Sequence, residues 1–318
     1  MKKQVFLYAC AWFIFLFSFW AVSGQPFGRP EQADIAFHLE RSADPLCFLH
    51  GCSYYAPLFH ILVAALGFVF SLQAAFILSE CIILFVLLPW TFYRLSNTLW
   101  GDECAAKNTV FVFLFGSTYA IVSVVAGIIP QALNTVFLVL GLEAMIRDQR
   151  TPSHRNAWMI ALWGILSVLS HQKGWYLYAL LVFGWLYVRN HYATCIMLIG
   201  AGILFFPQLT AYQLEIRRLP ELALFWLNPV NLCLGWKGWK KRSGDNMLLD
   251  GAIIASVLLA WVDPNYRSLL TASILLSVYG GRALQEEKNA NVYRFALLSL
   301  WVLNLTYFVI GVVVLLDR

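Results

Sequence analysis

A carboxylate, an imidazole and a guanidinium recur at helical spacing near the start of the chain. Asp34, His38 and Arg41 occupy positions i, i+4 and i+7, so an α-helix places them on one face, with Ile35 and Leu39 on an adjacent apolar face. A carboxylate next to an imidazole can remove a proton from a hydroxyl group. The alternative is an interfacial helix whose polar face is simply hydrated.

The flanking residues predict where this helix begins and ends. Pro30 and Glu31 are residue types of a helix start, and Asp44-Pro45 is a helix stop. We therefore predict an amphipathic helix at a membrane surface between these positions.

The composition of the whole chain requires a lipid environment for such elements. Of the 318 residues, 60% are hydrophobic and only 12% are charged, and the mean hydropathy is +0.69. This leaves too little polar surface to cover a water-soluble globule. The net charge of +5 comes from short basic clusters between apolar runs, a pattern that orients membrane proteins and does not indicate nucleic-acid binding.

Eleven segments are long and apolar enough to approach or cross a bilayer. The first, 4–22, exceeds the roughly 7–15 apolar residues of a signal-peptide core, which favours an uncleaved helix over a signal peptide. The others are 74–93, 108–126, 128–146, 157–170, 175–188, 193–209, 222–236, 247–262, 269–280 and 292–316. Segment 57–70 has only 14 residues and begins with proline, so we expect it to lie along the membrane or to dip into it.

The positive-inside rule supports this treatment of segment 57–70. With Lys2 inside and 57–70 not spanning, fifteen Lys and Arg residues face inward and seven face outward, and a spanning 57–70 would give seven inside and fifteen outside. The inner set is Lys2, Lys3, Arg94, Lys107, Arg147, Arg150, Arg155, Arg189, Lys237, Lys240, Lys241, Arg242, Arg282, Lys288 and Arg294. The predicted fold is thus an all-α polytopic membrane protein with about eleven transmembrane helices, a single domain over 1–318 and an outer loop, 25–73, that carries the candidate site.

Three other groups of residues could have a chemical role. Cys47 and Cys52 lie in the outer loop, where a disulfide could form, and a metal site with His50 and His60 lacks a standard spacing; the remaining cysteines are expected to be small apolar residues. Glu80 is taken as the one clear acid inside a predicted span and hence as a functional candidate. Gln131 and Asn134 either line an outward cavity or hydrogen-bond between helices.

Several motifs resemble a known enzyme family. Asp34-Ile35-Ala36-Phe37-His38-Leu39 and then Tyr54-Tyr55-Ala56-Pro57-Leu58-Phe59-His60 resemble the first outer loop of the GT-C superfamily of polyprenyl-phosphate-sugar glycosyltransferases, which includes protein mannosyltransferases and lipid A aminoarabinose transferases. His171-Gln172-Lys173-Gly174 is similar to a Lys-Gly turn of that family, and Asp263-Pro264-Asn265-Tyr266-Arg267 to its late outer loop.

The resemblance implies sugar transfer from a polyprenyl-phosphate donor, at the outer face of a bacterial or archaeal cell membrane, to an acceptor that the sequence does not identify. Asp34 would be the catalytic base, and His38 would orient it or bind acceptor. Lys173 and Arg267 would hold the leaving phosphate, although both could instead extend toward lipid headgroups. Arg41, Tyr55 and His60 complete the expected substrate-binding set.

The sequence also departs from the family pattern. Ile35 stands where many relatives carry a second acid, and the segment around Pro130 lacks an acid often found there. These departures count against a divalent metal held by several carboxylates, which stays an open alternative, and no cofactor is assigned. A non-catalytic membrane partner with the same fold remains an alternative. A transporter or flippase is a third class, for which two halves with matching broken helices would be expected.

Overall fold

The computed structural model of the chain describes residues 33–46, 56–117, 129–171, 174–191, 228–241, 246–262 and 266–316, together with Tyr8, Cys10, Tyr119 and Ser123. This part of the chain is helical and contains no strand, which confirms the all-α class. The helices are α1 (Ala33–Ala43), α2 (Leu58–Gly67), α3 (Leu72–Ile82), α4 (Leu88–Trp100), α5 (Glu103–Gly116), α6 (Ile129–Arg150), α7 (His154–Ser170), α8 (Gly174–Val188), α9 (Pro229–Lys240), α10 (Met247–Val262), α11 (Tyr266–Glu286) and α12 (Ala290–Leu316).

Most predicted apolar segments coincide with these helices, and two need correction. Helix α5 ends at Gly116, where Ser117 takes an extended backbone, instead of continuing toward 126. Helix α9 begins at Pro229, because the Asn228 side chain accepts hydrogen bonds from the backbone N–H groups of Val230 and Asn231 and so caps the helix there. Segments 4–22 and 193–209 lie outside the described residues, apart from Tyr8 and Cys10.

Two described helices are both long and apolar enough to cross a bilayer. One is the continuous helix Leu72–Trp100 and the other is Ile129–Arg150, while Leu58–Gly67, Leu177–Val188, Met247–Leu259 and Ala290–Leu303 are shorter apolar helices. The figure of about eleven spans therefore stays a prediction.

The helix Leu72–Trp100 contains a π-helical segment, Ile83–Leu87, between α3 and α4. The N–H of Leu88 bonds to the carbonyl of Ile83, five residues earlier. Pro89 follows directly; it has no N–H, and its ring would clash with the carbonyl four residues before it. The wider π turn accommodates this proline without breaking the helix.

The connections on either side of this helix are short. Residues 68–71 fold α2 back on α3, so the ring of Phe59 meets that of Phe76 at 5.6 Å between centroids. At the other end Gly101 has a φ of 62°, a left-handed conformation that favours glycine and ends α4. Asp102 then begins α5 by accepting the N–H of Cys104 at 2.7 Å.

The outward faces of several helices are apolar, the reverse of a water-soluble protein. Helix α7 exposes Trp158 (76%), Leu162, Ile165 and Val168 at a helical repeat. Exposed apolar residues likewise line the outer faces of α10 (Ile254, Val257 and Leu258) and α12 (Val292, Phe295, Val302 and Leu303). Contiguous apolar surfaces of this kind mark contact with lipid or with another protein.

Glycine allows three helices, α5, α9 and α11, to approach one another closely. A Cβ added at Gly238 of α9 would overlap the backbone of Tyr279 in α11, and a Cβ at Gly281 of α11 would overlap the backbone of Thr109 in α5. Helices in membranes commonly pack through small residues in this way.

Six of the cations predicted to face inward lie near helix ends that contacts join to one another. Arg94 pairs with Glu143 at 3.1 Å, Arg189 with Asp148 at 3.6 Å, Lys237 with Glu287 at 2.8 Å and Lys241 with Glu286 at 3.0 Å. Arg150 bonds to the backbone of Thr98 and Leu99, Gln285 to Asp102, and Arg282 stacks on Trp100.

Candidate functional site

Helix α1 and the beginning of α2 bring two histidines together. The structure confirms a helix between Pro30 and Asp44, from Ala33 to Ala43. His38 lies in its middle and is 4% exposed, and His60 is the third residue of α2 and is 2% exposed. The Ser42 hydroxyl donates to the His38 carbonyl at 2.7 Å within the same helix.

The two imidazoles are hydrogen-bonded. Nδ1 of His38 lies 3.1 Å from Nε2 of His60. Aromatic rings surround the pair: Phe37 is 5.4 Å and Phe59 is 6.0 Å from the His38 ring, both edge to face. This apolar surrounding strengthens the bond, since water is largely excluded from it.

The surroundings also control the protonation of His60. Burial lowers the pKa of His60 to about 4; a hydrogen bond to the Ala56 backbone opposes this shift and the charge of Arg41 adds to it. The bond to Ala56 favours the protonated ring, so His60 donates in it and the acceptor is the carbonyl. Nε2 of neutral His60 is then the acceptor, and Nδ1 of His38 is the donor to it. In this tautomer the lone pair of His38 is on Nε2.

The other predicted site residues are only partly within the described structure. Asp34 lies one helical turn before His38 in α1, and Arg267 is the second residue of α11; the side chains of both lie outside the described part. The Arg41 guanidinium lies over the Phe37 ring at 5.2 Å. Tyr55 and Lys173, like Cys47, His50 and Cys52, are outside the described residues.

Within the described ranges, no group of three or more His, Cys, Asp and Glu side chains is arranged to hold a metal ion. The cysteines in these ranges, Cys10, Cys81, Cys104 and Cys233, are free thiols.

Glu80 is buried beside this region. It is 3% exposed, and its Oε1 has no hydrogen-bond partner. It follows Phe76 by one helical turn, on the face of α3 whose Phe76 meets Phe59 of α2. A buried carboxyl oxygen without a partner is costly unless the group is neutral or receives a ligand.

The expectation that Glu80 is the one clear acid inside a predicted span was wrong, because two further acids lie in predicted spans. Glu143 lies in segment 128–146 and is 2% exposed, but it forms ion pairs with Arg94 and Arg147. Asp250 lies in 247–262 and accepts the Tyr279 hydroxyl at 2.6 Å. The acids with partners therefore join helices, whereas Oε1 of Glu80 does not.

Of the two roles predicted for Asn134, lining an outward cavity or hydrogen-bonding between helices, the structure shows the second. Oδ1 of Asn134 accepts the hydroxyl of Ser167 in α7. Gln131 is buried in the preceding turn of α6. The sequence contained both members of the His38–His60 pair but no signal that they would touch, because the two residues are 22 positions apart and the chain between them includes a connection without a periodic pattern.

The sequence was compared with known proteins. No family model matches the chain, and a search of curated proteins finds no significant match.

Proposed function

We propose that this protein is an integral membrane glycosyltransferase that moves a sugar from a polyprenyl-phosphate donor to an acceptor at the outer face of a bacterial or archaeal cell membrane. The observation that carries the proposal is the His38–His60 hydrogen bond of 3.1 Å. It joins the two sequence motifs of loop 25–73 that resemble the first outer loop of the GT-C superfamily. A site built from both motifs requires that their side chains meet, and this buried polar pair is a contact of that kind.

Two features support the membrane location and the orientation. Apolar side chains cover the outward faces of α7, α10 and α12, which suits lipid contact. Cations at the ends of α4, α6, α9 and α11 lie on one side of the protein. The positive-inside rule predicts this distribution for a chain of about eleven alternating spans with a cytoplasmic N-terminus.

The chemistry assigns a role to each group. The acceptor hydroxyl oxygen attacks C1 of the donor sugar, the bond from C1 to the phosphate oxygen breaks, and the polyprenyl phosphate leaves with the bonding electrons. Asp34 takes the hydroxyl proton. His38, held by His60, orients Asp34 or binds the acceptor, and Arg41 contributes positive charge near His60.

Lys173 and Arg267 hold the leaving phosphate in this scheme. Arg suits a two-pronged contact with phosphate oxygens, while Lys acts as a point charge. Arg267→Lys should then restore only part of the donor affinity lost in Arg267→Ala. Near-normal donor affinity in both Lys173→Ala and Arg267→Ala would remove these two residues from the site.

Purified protein assayed with a panel of polyprenyl-phosphate sugars tests the proposal. Asp34→Asn should lower transfer by about 10²- to 10⁴-fold, the usual value of a positioned base. Asp44→Asn is the matched control, because Asp44 is exposed just after α1 and should retain wild-type rates. Full activity of Asp34→Asn with the true donor would overturn the role of Asp34, and no transfer with any donor would favour a non-catalytic membrane partner.

A further inference from the structure

The end of α9 combines an exposed apolar face with a basic terminus. Leu232 and Trp236 are exposed one turn apart, at 37% and 54%, and Lys240 follows one turn later. The Trp236 ring stacks on Trp239 at 5.0 Å, and the Lys240 ammonium lies 5.0 Å from the centroid of the Trp236 ring. The opposite face of α9 packs on α11 through Gly235 and Gly238.

The start of α12 adjoins this face. Lys237 of α9 donates to the Tyr293 hydroxyl at 2.6 Å and lies over the Tyr293 ring at 4.7 Å. On either side of Tyr293, Val292 and Phe295 are 66% and 73% exposed. The end of α9 and the start of α12 thus both present apolar surface next to Lys237.

Lys240 differs from the neighbouring lysines in the groups that its ammonium contacts. Lys237 pairs with Glu287, and Lys241 pairs with Glu286, which Arg282 also contacts. Within the described ranges Lys240 has no ion pair with a carboxylate and contacts Trp236 instead. Segments 237–241 and 282–294 together contain six Lys and Arg residues and two Glu residues, and Asp102 adds a third acid at Gln285, so this corner carries excess positive charge.

We propose that this corner binds an anionic phospholipid of the inner leaflet, with the phosphate at Lys240 and an acyl chain along Leu232 and Trp236. Trp is favoured at the level of the headgroups, where one side of the ring meets lipid and the other meets water. A lysine close to an anionic lipid surface strengthens binding by about fivefold. The proposal rests on the membrane location proposed above and not on sugar transfer.

Lipid binding to the purified protein in an uncharged detergent tests this site without any sugar donor. Native mass spectrometry would count bound phosphatidylglycerol against bound phosphatidylcholine. The wild type should prefer phosphatidylglycerol, Lys240→Gln should lose about fivefold of that preference, and Lys240→Arg should keep it. Trp236→Leu keeps an apolar surface but should weaken binding of both lipids.

Arg155→Gln is the matched control, because it removes one charge from an exposed residue at the start of α7, among the cations predicted to face inward. It should leave the lipid preference unchanged. Equal losses in Lys240→Gln and Arg155→Gln would show general charge attraction and overturn the site, as would a wild type without preference for phosphatidylglycerol. Sugar transfer has no part in this readout, so its failure and the failure of the lipid site are separate results.

Discussion

Nδ1 of His38 and Nε2 of His60 lie 3.1 Å apart and join α1 to α2. The burial that surrounds this bond also keeps His60 neutral, since its pKa is lowered to about 4. An unfolded chain would protonate this histidine near pH 6.5. The contact between the two helices therefore depends on pH.

Stability should fall as the pH is lowered from about 6.5 toward 4, because the unfolded chain binds a proton at His60 in this window and the folded chain does not. His60→Gln should reduce the pH dependence of thermal unfolding across that window. His154→Gln, at an exposed histidine, should leave the dependence unchanged. Equal pH slopes in the wild type and His60→Gln would contradict the assignment.

The close packing at Gly238 and Gly281 predicts a strong response to a single methyl group. Gly238→Ala and Gly281→Ala should each destabilise the protein by about 1–3 kcal/mol, because the added Cβ meets backbone atoms that cannot rotate away. Gly251→Ala is the control, since its Cβ would meet nothing within 4 Å. Detergent unfolding monitored by circular dichroism would measure all three, and similar stability of the three variants would argue against this packing.

Glu143 joins α4 and α6 through a buried carboxylate. It pairs with Arg94 at 3.1 Å and is 2% exposed, and it also accepts the Thr98 hydroxyl at 3.1 Å. Glu143→Gln should cost about 1.5–3 kcal/mol of unfolding free energy, the usual value of hydrogen bonds to a charged group. Glu286→Gln should cost at most about 1 kcal/mol, because its pairs with Lys241 and Arg282 are partly exposed. A larger effect at Glu286 than at Glu143 would reverse this interpretation.

The orientation of the chain can be tested by labelling single cysteines in sealed cells, using a cysteine-free background. Asn156→Cys, next to the cations predicted to face inward, should resist an impermeant thiol reagent. Ser71→Cys, an exposed residue of the connection 68–71, should react. Labelling of Asn156→Cys from outside would invert the topology.

The sequence by itself determined the elements that depend on composition and short-range spacing. Apolar length and turn residues located α6, α7, α8 and α10 to within a few residues, and the Pro30 and Pro45 boundaries located α1, since hydrophobic runs and helix ends are local properties. The periodic spacing of His38 likewise placed it correctly on a helix, but that spacing carries no information about a distant partner.

Tertiary structure alone decided which residues meet. The pairing of His38 with His60, the packing of Gly281 on Thr109 and the ion pair of Glu143 with Arg94 each join residues far apart in the chain. Glu143 and Glu80 are the same residue type in similar apolar runs, yet one gained a cationic partner while Oε1 of the other gained none. The physical reason is that burial and partnership depend on which helix faces oppose one another, and hydrophobic periodicity does not specify this.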